Sequence, residues 1–166
     1  MSDKSPKPDA APSPEKLREA LATFPTGVAI LTTFSDSEPL GATANAVTGL
    51  SLDPPLVLAC LDQRSRTLEA IRKSGRFGVN GLAAHHEDLA DVFSDPATRS
   101  SRWDDLEWES DQGSPRILDA PLWVACSLED LVEGGDHLIA IGRVEAIEGR
   151  DADPLIFHGS AYHGLR

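Results

Sequence analysis

Two segments of this chain carry residue patterns that suit the binding of a flat, phosphorylated ligand. In Gly41–Pro55, small side chains alternate with hydroxyl and amide groups where an ordinary strand would carry bulky ones. Small side chains let a flat ligand lie against the backbone, whose N–H and C=O groups can then bind its edge. In Cys60–Thr67, Ser65 and Thr67 place hydroxyls at the start of a predicted helix. Unpaired N–H groups and the helix dipole favour a phosphate there.

Both segments also have a purely structural interpretation. Gly41–Pro55 is equally typical of a tightly packed strand that runs into a proline-fixed turn. The hydroxyls near the helix start are typical of ordinary capping, with Thr67 as the expected cap. The residues alone leave these alternatives open.

Motifs for nucleophilic or metal-dependent chemistry are absent from the sequence. The chain has no G-x-S-x-G, no phosphate-binding Walker loop, no C-x-x-C and no H-E-x-x-H. His85 and His86 are adjacent, so we expect them to point in different directions and to chelate poorly. His158 and His163 could share a surface, but the sequence supplies no third ligand. We therefore expect no metal site.

The pattern of apolar residues predicts a mainly β protein with a few short helices. The predicted helices are 14–24, which begins at Ser13-Pro14, then 67–73 and 87–93. The predicted strands are 28–34, 40–47, 56–61, 76–80, 122–128, 138–147 and 154–162. Residues 94–115 are polar and are expected to form a long loop. Many strands with few helices favour a barrel or sandwich.

Length and composition predict one domain over residues 14–166, preceded by a disordered tail at 1–13 that is rich in Pro, Ala, Ser and Lys. The 166 residues carry a net charge of −12, which disfavours nucleic acid and anionic membranes as partners. Residues 1–16 contain no apolar segment typical of a secretory signal. Cys60 and Cys126 lie in apolar stretches, which favours reduced, buried thiols and a cytoplasmic location.

A series of motifs, in order and at matching spacing, carries a resemblance that covers about residues 17–165. They are Phe24–Val28, Gly41–Pro55, Cys60–Thr67, Phe77–Asn80, Gly135–His137, Gly142–Val144 and Pro154–Tyr162. Together they resemble the flavin reductase family with the FMN-binding split-barrel fold, the reductase component of two-component flavin-dependent monooxygenases.

The resemblance implies a homodimer of split β-barrels with flavin at the subunit interface. It also implies a role for each site residue. The isoalloxazine edge would contact Thr43, Ala44, Asn45 and Ala46, largely through their backbone. The ribityl chain would lie near Thr48 and Ser51, and the phosphate near Ser65 and Thr67. Further cofactor contacts would come from Cys60, Leu61, Asp62, Phe77 and Asn80. His137 would be the catalytic residue on the nicotinamide side, with Tyr162 near the same cleft.

The implied activity is reduction of FMN or FAD by NADH or NADPH, with reduced flavin supplied to a separate oxygenase. Hydride transfer between these cofactors needs no protein nucleophile or metal, which agrees with the missing motifs. Two alternatives stay open. One is a flavin-retaining oxidase or direct reductase of an organic substrate, and the other is a non-enzymatic flavin or haem carrier on the same fold.

Overall fold

Twelve strands and three α-helices make up the part of the chain described by the computed structural model, residues 11–96 and 103–165. The helices are α1 (Pro14–Leu21), α2 (Arg66–Ser74) and α3 (Glu87–Ser94). The first six strands are β1 (Thr26–Gly27), β2 (Ala29–Ser35), β3 (Glu38–Ala44), β4 (Val47–Leu52), β5 (Pro55–Asp62) and β6 (Arg76–Gly81). The others are β7 (Trp108–Asp111), β8 (Ser114–Ile117), β9 (Leu122–Gly134), β10 (His137–Gly149), β11 (Ile156–His158) and β12 (Ala161–His163). The mainly β class is confirmed, whereas most of the predicted tail lies outside the described residues.

Local signals in the sequence fix the ends of the first two helices. The Ser13 hydroxyl accepts a hydrogen bond from the N–H of Lys16, and Pro14 occupies the first helical position of α1. In α2 the cap is Ser65, whose hydroxyl accepts from the N–H of Leu68, so the expectation of a cap at Thr67 is wrong. Gly75 ends α2 in the left-handed conformation at φ 68°, which glycine adopts without a steric penalty.

The main sheet has seven antiparallel strands in the order β3-β2-β6-β9-β10-β5-β4. Its two edges, β3 and β4, are consecutive in the chain and are joined only by Asn45 and Ala46. The predicted single strand 40–47 is therefore two strands, because the chain leaves β2 after Ala44 and pairs with β5 from Val47. Among the described residues the hydrogen bonds do not close this sheet into a barrel. The gap between β3 and the β4–β5 pair is where the candidate site lies.

The predicted loop 94–115 is corrected in its second half, where β7 and β8 form a hairpin. Its anchor is Asn80, whose side chain accepts from the N–H of Ile117 at 2.8 Å and donates to the carbonyl of Pro115 at 3.4 Å. The buried Thr32 hydroxyl also donates to Pro115, at 2.6 Å. The hairpin is polar outside this anchor, so its strands carry no clear alternation of apolar residues.

Buried apolar side chains form two clusters. One lies between the sheet and α2 and includes Leu31, Ile71, Phe77 and Cys126. The other includes Phe93 of α3 and the apolar side chains around it. Both cysteines are free, as expected. Burial raises the pKa of the Cys126 thiol to about 12, so this thiol stays protonated. Cys60 is only partly buried, which corrects the expectation of two buried thiols.

None of the helices in the described ranges is long and apolar enough to cross a membrane.

Candidate active site

A cavity of about 610 Å³ lies at the gap in the main sheet, between β3 and the end of β5. Its volume falls in the range of roughly 300–1,000 Å³ that is usual for small-molecule sites. Most of the predicted site residues line it: Thr43, Ala44, Asn45, Ala46, Cys60, Leu61, Asp62, Ser65 and His137. Further lining comes from Ala42, Arg64, Phe93, Ser94 and Pro96. The two unusual sequence segments therefore form the two walls of one cavity.

The first wall is the end of β3 with the short link to β4. Ala42, Ala44 and Ala46 leave room beside the backbone along this wall. Because β3 is an edge strand, the N–H and C=O groups on its outer side have no neighbouring strand. The carbonyl of Ala46 accepts from the N–H of Cys60 at 2.9 Å and joins this wall to the second one. A flat ligand can thus meet unpaired backbone groups over small side chains.

The second wall begins at the end of β5 with a charged pair. Arg64 binds the Asp62 carboxylate with two side-chain nitrogens, at 2.9 and 3.1 Å, and with its backbone N–H at 2.8 Å. These bonds hold the pKa of Asp62 well below its usual range. The carboxylate is therefore ionised at neutral pH, and it offsets the charge of the guanidinium beside the cavity.

The N-terminus of α2 adds positive potential at this wall. Ser65 is half-buried at the cavity. Its hydroxyl accepts from the N–H of Leu68 at 3.4 Å, which is a long hydrogen bond. Thr67 follows in the first turn and is fully buried, with no hydrogen-bond partner for its hydroxyl. Thr67 does not reach the cavity surface, which leaves Ser65 and the first-turn N–H groups to meet a phosphate.

His137 lies at the junction of this cavity with a second one of about 690 Å³. Its Nδ1 is 2.7 Å from a carboxylate oxygen of Asp136, and its side chain is 46% exposed. The hydrogen bond lowers the pKa of Asp136 and favours the tautomer with the proton on Nδ1. Nε2 is then an acceptor. Gln63 fixes the turn, since its N–H donates to the Asp136 carbonyl and its side-chain amide donates to the carbonyl of Gly135.

Phe77 and Asn80 do not line the cavity. Both side chains are fully buried. Phe77 packs in the main apolar cluster. The side-chain amide of Asn80 makes hydrogen bonds to the β7–β8 hairpin and to the Ile30 carbonyl. Neither has a group left to offer a ligand.

Thr48, Ser51 and Tyr162 are not among the residues that line the cavity. Thr48 and Ser51 are on β4, which continues from the first wall. Tyr162 packs against Phe157 with ring centres 5.4 Å apart. Burial is the main cause of its raised pKa. It lines an adjoining pocket of about 160 Å³, which shares Thr43, Asn45 and Ser94 with the cavity.

Comparison with known proteins identifies the family. Residues 21–166 match the family described as the flavin reductase like domain. The chain belongs to this family. A flavin-dependent monooxygenase reductase subunit of Rhodococcus jostii is 39% identical over 156 residues, which are 92% of this chain and 78% of that protein.

Two further similarities agree. A probable flavin reductase of Rhizobium meliloti is 39% identical over 152 residues, 90% of this chain and 48% of that protein, so the chain spans about half of that relative. The solved structure of the Streptomyces globisporus NADH:FAD oxidoreductase SgcE6, in complex with NAD and FAD fragments, has a TM-score of 0.84 to this chain at 33% identity. That similarity covers 90% of each chain.

The residues of the cavity fit the flavin that this family name implies. A planar ring system needs a wall without bulky side chains, and the alanines of the first wall provide it. A phosphate needs unpaired donors, and the α2 N-terminus provides these next to Ser65. The residues that would hold the ring are Thr43–Ala46, and those that would hold the phosphate are Ser65 and its helix.

Sequence reasoning missed the contribution of α3. Phe93 and Ser94, at the end of this helix, and Pro96 line the cavity beside β3. The helix was predicted, but no local pattern indicates which strand it packs on. The one available signal was Gly41, since a Cβ there would lie 2.7 Å from the Phe93 ring.

His85 and His86 do not diverge as the sequence suggested. Both Nε2 atoms approach the same Asp119 carboxylate oxygen, at 2.8 and 3.1 Å. His86 Nδ1 accepts the N–H of Ala83, so a neutral His86 ring carries its proton on Nε2 and donates it to Asp119. A nitrogen that carries a proton cannot ligate a metal, so this triad is a hydrogen-bonded cluster that Arg150 completes.

Proposed function

We propose that this protein is a flavin reductase that uses NADH or NADPH to reduce FMN or FAD. The observation that carries the proposal is the two-walled cavity, in which edge-strand backbone over small side chains faces a helix N-terminus and His137 stands at the opening to a second cavity. Membership of the flavin reductase like domain family supports it.

The protein's task in this reaction is to position two ligands. The chemistry that flavin supplies when bound is acceptance of a hydride from the nicotinamide. The backbone at Thr43–Ala46 would bind the ring edge, and fixed N–H donors there would stabilise the negative charge that reduction creates. Ser65 with the α2 N-terminus would bind the phosphate.

His137 is proposed to orient the nicotinamide nucleotide. Its Nδ1 is engaged by Asp136, so its Nε2 is the ring nitrogen that would bind the nucleotide, by a hydrogen bond or as part of a cation. His137 lines both cavities, so it could contact the flavin in one and the nucleotide in the other. The second cavity, which is lined by Leu17 and Leu21 of α1 and by Phe24 just beyond it, offers space for the rest of the nucleotide.

The product is proposed to serve a separate flavin-dependent oxygenase. The basis is the Rhodococcus relative, which is named as the reductase subunit of such an enzyme. The free thiols of Cys60 and Cys126 support a cytoplasmic site of action, where thiols stay reduced.

We also propose that the active form is a homodimer of split barrels, in which the gap between β3 and β4 is the opening of the barrel. Edge strand β4 exposes Leu50 and Leu52, the latter 97% exposed. An apolar cavity of about 410 Å³, lined in part by Val47 and Leu122, lies at the same gap. Exposed apolar surface of this kind marks an interface, and a second copy would cover it.

Steady-state oxidation of NADH and NADPH with varied free FMN, FAD or riboflavin tests the activity. A flavin reductase shows a rate that saturates in added flavin, and we expect NADH to be preferred. A flavin-retaining oxidase shows no dependence on added flavin, and a flavin or haem carrier shows no turnover. Purified protein that fails to accelerate the oxidation of either nucleotide with any flavin would refute the proposal.

A further inference from the structure

The hydroxyl of Thr43 is already engaged within the protein. Thr43 lies on the first wall of the cavity, yet its Oγ1 donates to the carbonyl of Ala90 in α3 at 2.6 Å. Ala90 is fully buried and lies in the middle of this eight-residue helix, four residues before Ser94. A hydroxyl has a single proton, so Thr43 cannot donate to a ligand while this bond exists.

The same strand holds α3 by a second contact, at Gly41. A Cβ at Gly41 would lie 2.7 and 2.8 Å from two ring carbons of Phe93, so the ring packs directly on the backbone of β3. Phe93 is 1% exposed and is braced on its other side by Trp103, with ring centres 5.2 Å apart. β3 therefore holds α3 at two residues of the same face, Gly41 and Thr43.

The held end of α3 is the part that lines the cavity. Phe93 and Ser94 form the wall beside Ala42 and Thr43. Ser94 turns its hydroxyl back to the carbonyl of Asp91 at 2.6 Å, which closes the last turn. The shape of the cavity on this side thus depends on where β3 holds the helix.

We propose that Thr43 is a positioning residue, whose hydroxyl holds α3 at Ala90 so that Phe93 and Ser94, one turn further on, complete the flavin cavity. The inference rests on the proposed flavin site. It adds to the role expected from the family resemblance: the backbone of Thr43 would still contact the ligand, and its side chain would act through α3.

The test combines hydrogen exchange on the flavin-free protein with FMN titration. Thr43→Val keeps the shape and removes the hydroxyl, so we expect amide exchange in 87–94 to rise and FMN affinity to fall, each about three- to tenfold. The KM for FMN should rise with little change in kcat. Thr43→Ser keeps the hydroxyl and should restore both quantities to near the wild-type values.

Two further variants separate positioning from direct binding and from general instability. Gly41→Ala displaces Phe93 with the Thr43 hydroxyl intact, so it should cause the same paired changes. Thr33→Val is a matched control, because the Thr33 hydroxyl donates to the Arg76 carbonyl beside the end of α2. It should raise exchange near α2 and leave both α3 and FMN affinity unchanged.

The outcomes are distinguishable. If Thr43→Val weakens FMN while exchange in α3 stays at the wild-type rate, Thr43 binds the ligand directly and the inference is wrong. If neither quantity changes, Thr43 has no role at the site and the inference is also wrong. A wild-type protein that binds neither FMN nor FAD would instead overturn the proposed function.

Discussion

His137→Ala gives the sharpest test of how the site handles the nicotinamide nucleotide. The histidine lies where the two cavities meet, and its Nε2 is the ring nitrogen that Asp136 does not engage. Losing a hydrogen bond to a charged or strongly polar group costs about 1.5–3 kcal/mol, which is roughly tenfold or more in affinity. We therefore expect kcat/KM for NADH to fall about tenfold while FMN affinity stays near wild type.

The structure also sets the expected effect of this variant on stability. The pair of His137 with Asp136 is exposed, and such pairs contribute about 0–1 kcal/mol. The turn itself is held by Gln63, whose backbone and side-chain N–H groups bind the carbonyls of Asp136 and Gly135. The melting temperature of His137→Ala should therefore change by only a few degrees.

Stopped-flow reduction of bound flavin, run beside thermal melts, measures both effects. His158→Ala is the matched control, because His158 is an exposed histidine at the end of β11, outside the lining of both cavities. It should change neither the reduction rate nor the melting temperature. A large loss of stability in His137→Ala with a wild-type rate of reduction would refute the cofactor-side role and leave a structural one.

Three other predictions concern the phosphate, the interface and acid stability. Ser65→Ala should weaken FMN about tenfold in calorimetric titration and leave riboflavin unchanged, and equal effects on both ligands would place the phosphate elsewhere. Leu52→Glu should convert a dimer to a monomer in light scattering, whereas a wild-type monomer at micromolar concentration would contradict the proposed interface. Burial lowers the pKa of His86 below its ordinary 6.5. The contribution of this histidine to the free energy of unfolding is therefore fully present above that pH and is lost as the pH falls below it. His86→Gln, which keeps a donor and an acceptor, should flatten this dependence in thermal melts, and an unchanged slope would assign it to other groups.

Features that depend on neighbouring residues were predictable from the sequence. Ser13-Pro14 marks the start of α1, and the apolar run 56–61 marks β5, because each signal lies within a few residues of its effect. The two cavity walls were predicted in the same way, from the small residues before Pro55 and the hydroxyls at the α2 start.

Features that depend on distant residues were not predictable in this way. The β7–β8 hairpin is polar and is held by Asn80, 37 positions before Ile117. The convergence of His85 and His86 depends on Asp119, more than thirty positions away. Residue type and local spacing carry no information about contacts between residues that are distant in the chain. For the same reason the sequence did not predict that Phe93 lines the cavity.

The family motifs that lie away from the cavity have a structural explanation. The motif Phe77–Asn80 meets the motif Gly142–Val144 at one contact, since a Cβ at Gly142 would lie 2.4 Å from the tip of the Phe77 ring. The ring of Trp123 packs against Gly78 in the same way, since a Cβ at Gly78 would lie 2.4 Å from that ring. Asn80 uses both ends of its amide to hold the hairpin. Phe77, Gly78 and Asn80 are thus each specified by a close packing partner or by a buried hydrogen bond. An interior packed to near-crystal density has no room for a larger side chain at such positions, and it holds no water for an unpaired amide. The resemblance therefore includes motifs of two different kinds: those at β3 and the α2 start, whose residues line the cavity, and this one, which holds together the sheet that places them.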